Sequence, residues 1–257
     1  MLRLEHITAG YNKNPVIKDI DIEFESGKIT ALIGPNGSGK STLLKAAVDL
    51  CEIYGGAVYL NGNERNGLGN KEFAKHVSYL PQSHSGGAIA VERMVLHGRF
   101  PYLSYPRKYG KKDYEYCYHA MEKTGILELK GKKLDELSGG QKQKVYIAMA
   151  LAGEAQVFLF DEPTTYLDVG YQLELLDIMV QLREQGKTVI VVLHDINYAM
   201  GIADKLAVME QGKLLLSDTP ANVYESGAIS RVFQVKAKIL KDEKGKKHFY
   251  FEGIKKG

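Results

Sequence analysis

One stretch constrains this 257-residue chain more than any other: Gly34-Pro35-Asn36-Gly37-Ser38-Gly39-Lys40-Ser41, which satisfies G-x-x-x-x-G-K-[ST] in full. It follows the apolar run Ile29-Thr30-Ala31-Leu32-Ile33 without a break, and such a run reads as a strand buried on both faces. Glycines let the backbone turn sharply there, so that N–H groups converge on phosphate oxygens where the next helix, predicted over Ser41 to Leu50, begins. Lys40 supplies positive charge towards β- and γ-phosphates, Ser41 offers a hydroxyl to Mg2+, and Thr42 sits on the α-phosphate side. Asn36, Gly37, Ser38 and Gly39 form the loop itself. A nucleoside triphosphate is the ligand this chemistry implies.

Two further runs, Val157 to Phe160 and Val189 to Leu193, repeat the buried-strand pattern, and each leads into polar residues and then a helical pattern. Together they predict a parallel α/β core. Leu2, Leu4 and His6, and then Ile20, Ile22 and Phe24, alternate with polar residues, which predicts an antiparallel β layer ahead of it. From Gly86 to Leu151 β-branched runs give way to helix formers such as Val91 to Leu96 and Tyr114 to Thr124. The expected organisation is therefore an α/β core over 1–85 and 152–235, with a mixed sheet and an inserted helical subdomain at 86–151. A hairpin extension at 236–257 turns near Asp242-Glu243-Lys244-Gly245 and ends at Ile254.

The strand Val157 to Phe160 ends in Asp161, Glu162 and Pro163. Ligands of open parallel sheets gather at the carboxyl ends of strands, so these acids are placed to serve the phosphate loop. Asp161 suits Mg2+, held through water, and Glu162 suits polarisation of the water that attacks the γ-phosphate. In isolation two such acids would read as surface charge. The loop upstream gives them work.

No apolar stretch approaches the roughly 20 residues a membrane crossing needs, and no signal-peptide run precedes Gly10, so a cytosolic chain is expected. Cys51 and Cys117 lack metal-ligand spacing and are expected as ordinary thiols. The formal charge of +3 hides an asymmetry: residues 236–257 hold eight lysines against three acids, +5, which leaves −2 elsewhere. With no base-reading motif alongside, the tail reads as a solvated edge or a lipid-headgroup contact, and no nucleic-acid partner is expected.

Leu137-Ser138-Gly139-Gly140-Gln141 narrows the field. A serine, two glycines and a helix N-terminus make a second anion site without a lysine. The set of motifs resembles the ATP-binding-cassette (ABC) ATPases, in which this signature closes over ATP held by another subunit. The resemblance implies ATP and Mg2+ as ligands, a P-loop NTPase core and a head-to-tail dimer. It implies an adenine-stacking Tyr11, a Gln82 that senses γ-phosphate and Mg2+, an Asp168 in the loop crossing the dimer interface, and a switch His194. Lys40, Gln82, Glu162 and His194 become the catalytic set, and Ser41, Gln82 and Asp161 the metal set. The chain departs from the family with Lys142 and Lys144 where arginines are usual, and with Met149 at a position often held by arginine.

His97-Gly98-Arg99-Phe100-Pro101-Tyr102, Asp161 to Asp168 (which includes Tyr166) and His194-Asp195-Ile196-Asn197 look like the ATPase subunits that drive uptake of iron–siderophore complexes, haem or cobalamin. That implies permease subunits as partners, an extracytoplasmic substrate-binding protein reached through them, and a peripheral place on the cytoplasmic face of the membrane. Phe100 to Pro106 suits a groove for a partner's helix, or equally a cap on the lobe's own core. The alternative readings are a soluble ABC ATPase without a transport role, and a P-loop kinase or inert nucleotide-binding module. The first is disfavoured by the single cassette and the lack of a coiled-coil insertion, the second by the signature sequence.

Overall fold

Strand β1 (Leu2–Tyr11) turns back on β2 (Asn14–Phe24) through Asn12 and Lys13, whose φ values of 52° and 62° are those a two-residue type I′ hairpin requires. The structure is a computed structural model that describes residues 1–82, 87–165, 167–241, 243 and 247–253. Gly86, Tyr166, Asp242, Lys244, Gly245 and Ile254, quoted above, lie outside the described residues. The chain divides into two units, Met1–Glu64 with Ile190–Gly257, and Arg65–Val189.

In the first unit the alternation of β1 does not run straight through. Leu2 and Leu4 are buried, but so are Ile7 and Ala9, because the pairing slips between Leu4 and Ile7 where His6 takes φ 50°. An extra residue in a strand inverts its inward and outward faces. His6, expected on the face of Leu2 and Leu4, is therefore exposed. A matching slip at Asp19, φ 50°, carries β2 from Ile17 to Ile20 on the same buried side. Strand β3 (Ile29–Ile33) is buried at all five positions and leads to α1 (Lys40–Ala47). Strands β4 (Glu52–Leu60) and β5 (Asn63–Glu64) complete a layer of order β2-β1-β4-β5.

The second unit contains α2 (Asn70–His76), β6 (Val77–Leu80), α3 (Val91–Leu96), α4 (Lys111–Lys123), α5 (Gly139–Ala152), β7 (Val157–Asp161) and α6 (Val169–Glu184). Strands β6 and β7 run parallel, from Val77 opposite Val157 to Leu80 opposite Phe160. Helix α5 packs on α3 and α4 around Val91, Val95, Cys117, Met121 and Val145. Gly98 lets the 3-10 turn after α3 touch α5, since a Cβ there would stand 2.0 Å from the Met149 carbonyl oxygen.

Arg99 holds the same turn. Its guanidinium donates to Asp113 Oδ1 and to the Ala152 carbonyl, both at 3.1 Å, and lies between the rings of Tyr102 and Tyr116. With the arginine only 6% exposed, Arg99→Met leaves the Asp113 carboxylate without its cation, a loss of about 3 kcal/mol. The expected result is a clear drop in the urea midpoint; an unchanged midpoint would show that the pair carries no stability.

Strand β8 (Thr188–Val192) carries the chain back to the first unit, where α7 (Ile196–Ile202), β9 (Lys205–Glu210), β10 (Lys213–Asp218), α8 (Pro220–Glu225), α9 (Ala228–Phe233), β11 (Val235–Lys241) and β12 (Lys247–Gly253) follow. There β3 pairs parallel with β9, and β10 antiparallel with β9. The result is the α/β fold with mixed sheet pairing that the motifs predict. Strands β11 and β12 pair antiparallel, with the Phe249 ring 5.5 Å from that of Tyr224 in α8. Both cysteines are free, and burial pushes the Cys117 thiol up to about 12. Among the described residues no helix is long and apolar enough to cross a membrane.

Candidate functional site

In the first unit, the turn from β3 into α1 is shaped by glycines with no room for a side chain. Gly34 has φ 153°, and a Cβ there would lie 2.1 Å from the Met209 carbonyl oxygen; Gly39, at φ 100°, would meet Ile17 at 2.6 Å. Between them Ser38 N–H donates to the Pro35 carbonyl at 3.1 Å, and Ser38 in turn accepts from Gly212 N–H at 3.1 Å. The loop is thus tied at both sides before any ligand meets it. Asn36 and Gly37 are exposed at its rim, while Ser38, Lys40 and Thr42 are buried and Ser41 is half-buried on the first turn of α1.

Lys40 bends back over the loop. Its ammonium donates to the carbonyls of Gly34 and Pro35 at 2.9 Å each, with Ser38 Oγ at 3.5 Å. These acceptors hold a nearly buried cation beside the helix N-terminus, where anions are favoured. Tyr11, 38% exposed at the end of β1, has Lys45 Nζ of α1 5.7 Å from its ring centroid. His194 is exposed just beyond β8, and the neighbouring Asp195 is the N-cap of α7, accepting from Asn197 and Tyr198 N–H.

In the second unit, Asp161 ends β7 at 1% exposure, and the Tyr79 hydroxyl of β6 donates to its Oδ2 at 3.2 Å. Tyr79 carries no motif, so the sequence alone does not single it out. Only the parallel register of β6 and β7 brings it to the acid. Glu162 has φ 51°, a left-handed conformation rare for such a residue, and residues held in that way collect at functional sites. Gln82 Nε2 donates to Glu162 Oε2, so two residues 80 positions apart meet as a pair.

Ser138 is the N-cap of α5. Its Oγ accepts from Gln141 N–H at 3.3 Å while Gln141 Oε1 accepts from Ser138 N–H at 3.1 Å, a reciprocal capping box. The helix therefore starts at Gly139, inside the signature itself, and the S-x-x-Q spacing is the sequence signal for that start. Gly139 faces open space, and Gly140 lies against the Tyr171 ring. Asp168 is the N-cap of α6, accepting from Tyr171 N–H at 3.0 Å.

A glycine-shaped turn from a buried strand into a helix, in one unit, and acids at the end of another buried strand, in the other, are features of the P-loop NTPase class. The chain belongs to the ABC transporter family, whose model matches residues 17–165. It is similar to the iron(3+)-hydroxamate import ATP-binding protein FhuC of Bacillus subtilis (strain 168), 38% identical over 96% of this chain and 92% of FhuC. It is equally similar, at 38%, to the ferric enterobactin transport ATP-binding protein FepC of Escherichia coli (strain K12), over 94% of this chain and 90% of that one. Among solved structures, a metal-chelate type ABC transporter in an inward-facing conformation superposes with a TM-score of 0.83 at 25% identity, over 97% of this chain and 96% of the other. A dimeric bacterial ABC transporter cassette gives a TM-score of 0.76 at 26% identity, over 86% of this chain and 99% of that one. As a member of this family the chain binds nucleotide. The soluble, non-transport alternative is set aside.

Proposed function

We propose that this ATPase powers import of an iron(III) chelate of the siderophore type through a separate permease, from the cytoplasmic face of the membrane. The observation that carries the energy-coupling half is the pairing of Glu162, in its left-handed conformation, with Gln82 one residue past the buried Asp161. The import half rests on the relatives named above, by name an iron(3+)-hydroxamate import ATP-binding protein and a ferric enterobactin transport ATP-binding protein.

Loop residues 36–39 hold the phosphates with Lys40 and Thr42, and Tyr11 stacks on the base. By chemistry alone the Ser41 hydroxyl, in one unit, and the Gln82 carbonyl and Asp161 carboxylate, in the other, are donors of the kind that Mg2+, a hard cation, prefers; the Tyr79 hydroxyl donates to the buried Asp161 carboxylate. The chemistry such an ion would supply is neutralisation of phosphate charge. Glu162 orients water for in-line attack, and His194 donates to the γ-phosphate.

A second copy supplies Ser138 to Gln141 over this nucleotide, with Asp168 at the crossing point. The exposed Val169 and Leu173 on α6, 64% and 49% accessible, suit a surface that a second copy covers. For the permease, the segment after α3 points both ways. Tyr102 and Leu103 turn inward, the tyrosine hydroxyl donating to the Gly153 carbonyl at 2.8 Å, while Phe100 and Tyr105 are 49% and 96% exposed. Phe100, Pro101, Leu103, Asn70, Ala74 and Arg107 line a cleft of about 360 Å3, which suits a short permease helix. The extracytoplasmic binding protein is reached through that permease.

Phe100→Asp tests the coupling. In cells that express the permease, the variant is expected to lose co-purification with it and to cut iron–siderophore uptake about tenfold, as loss of an aromatic anchor does at an interface. ATP turnover of the isolated subunit is expected to stay. Wild-type uptake in the variant would remove the cleft from the proposal, and a chain that co-purifies only with ribosomal or DNA-bound partners would remove the importer.

A further inference from the structure

The signature helix α5 is fastened to the segment that follows β7 at three successive levels, all inside the unit Arg65–Val189. Gly140 lies flat on Tyr171, where an added Cβ would stand 3.3 Å from the ring. One turn on, Gln143 Nε2 donates to the Pro163 carbonyl at 3.1 Å. Lys144 then closes the contact: its ammonium is 2.6 Å from Glu174 Oε2 and 4.1 Å from the centroid of the Tyr171 ring, and its side chain is only 17% exposed. Tyr171 is also the residue whose N–H binds Asp168 Oδ1. One ring therefore touches the signature helix on one side and belongs, through its own backbone, to the cap that holds Asp168.

We propose that Lys144, Tyr171 and Glu174 form a clasp that sets the angle of Ser138 to Gln141 relative to Glu162 and Asp168. They are positioning residues, distant in role from the phosphate loop. Lysine stands here where the family usually has arginine, and a compact ammonium cannot make the two parallel bonds of a guanidinium fork. The ring beneath it supplies the second contact instead. This rests on reading Ser138 to Gln141 as the part that closes over a partner copy's nucleotide. In that arrangement the clasp joins the part of a chain that acts on its own ATP to the part that acts on its partner's. A shift of the signature by a fraction of an ångström then reaches both sites.

The test uses the full-length chain and reads turnover at saturating ATP, affinity of the isolated subunit for a fluorescent ATP analogue, melting temperature, and amide exchange at Tyr171. Lys144→Met removes the ion pair and the ring contact while it keeps the stem, and is expected to lower kcat about tenfold; Glu174→Gln removes only the pair and is expected to lower it about threefold. Affinity of the isolated subunit, set by the phosphate loop, is expected to stay within about twofold in both. Lys144→Arg is expected to restore kcat, a rescue that a mere space-filling role would not give. Exchange at Tyr171 is expected to quicken in Lys144→Met, and this reads the clasp directly even if turnover is nil. Unchanged exchange would overturn the clasp. Faster exchange with unchanged kcat would overturn the positioning role and leave the reading of the signature standing, since that reading fails only if Glu162→Gln forms no ATP-dependent dimer. A loss of kcat matched by equal losses of affinity or melting temperature would reduce the three residues to packing.

Discussion

Lys40→Met is expected to lower ATP turnover by about a thousandfold or more, the effect of removing a fixed charge from the place where negative charge builds up. The magnitude follows from how the ammonium is held. At 4% exposure it sits in a region of weak screening, and the carbonyls of Gly34 and Pro35, with Ser38 Oγ, hold its three N–H bonds over the loop. A phosphate oxygen competes well with a carbonyl for such a donor, because a charged pair is stronger than a charge–dipole contact. Methionine has nearly the same length and leaves the glycine turns untouched, so folding should survive. Phosphate release and nucleotide affinity, measured on the same preparation, separate the two effects. Turnover within tenfold of wild type would exclude Lys40 from the reaction.

Much of this architecture is legible in the sequence, for reasons that differ from element to element. The loop at 34–41 can be read because each of its glycines answers a backbone demand: φ of 153°, 78° and 100° at Gly34, Gly37 and Gly39 admits few other residues. Strands β3, β7 and β8 can be read because burial on both faces leaves an unbroken apolar run. The antiparallel layer can be read as strands but not in phase. His6 keeps the apparent period of two, and only the slip in pairing shows that the buried series moves from even to odd positions there.

Contacts between side chains of ordinary type were out of reach for a different reason. Tyr79 and Asp161 are 82 residues apart, and nothing in Val77-Ser78-Tyr79-Leu80 distinguishes a tyrosine that binds an acid from one that covers a core. Lys144 stands out in the sequence only as a lysine where the family usually has arginine, and nothing there names Glu174, 30 residues on, as its partner. The capping box at Ser138 sits between these cases. Its spacing was visible, but two glycines after the serine argue against a helix by propensity, and the cap outweighs them. Asp168 shows how a single side chain holds two meanings at once, because the carboxylate that caps α6 also stands at the start of an exposed apolar helix face.

Glu162→Gln is the second large effect, and its sign differs between two measurements. The amide keeps the size of the carboxylate and one carbonyl oxygen, so Gln82 Nε2 retains an acceptor, and the left-handed backbone at φ 51° is no more costly for Gln than for Glu. What is lost is the negative charge proposed to draw a proton from water, a role that contributes about a hundredfold to ten-thousandfold to rate. ATP binding, which the proposal assigns to the loop and Lys40, is expected to stay in place. Turnover should therefore fall by at least about a hundredfold while ATP, no longer consumed, holds two copies together. Size-exclusion chromatography with Mg-ATP is expected to show a dimer that the wild-type chain forms only transiently, and one that reverts to monomer when ATP is exchanged for ADP. Two outcomes would count against the assignment in different ways. Wild-type turnover would show that Glu162 does not activate water, whereas slow turnover without an ATP-dependent dimer would leave the chemistry standing and remove the head-to-tail arrangement on which the signature's role depends.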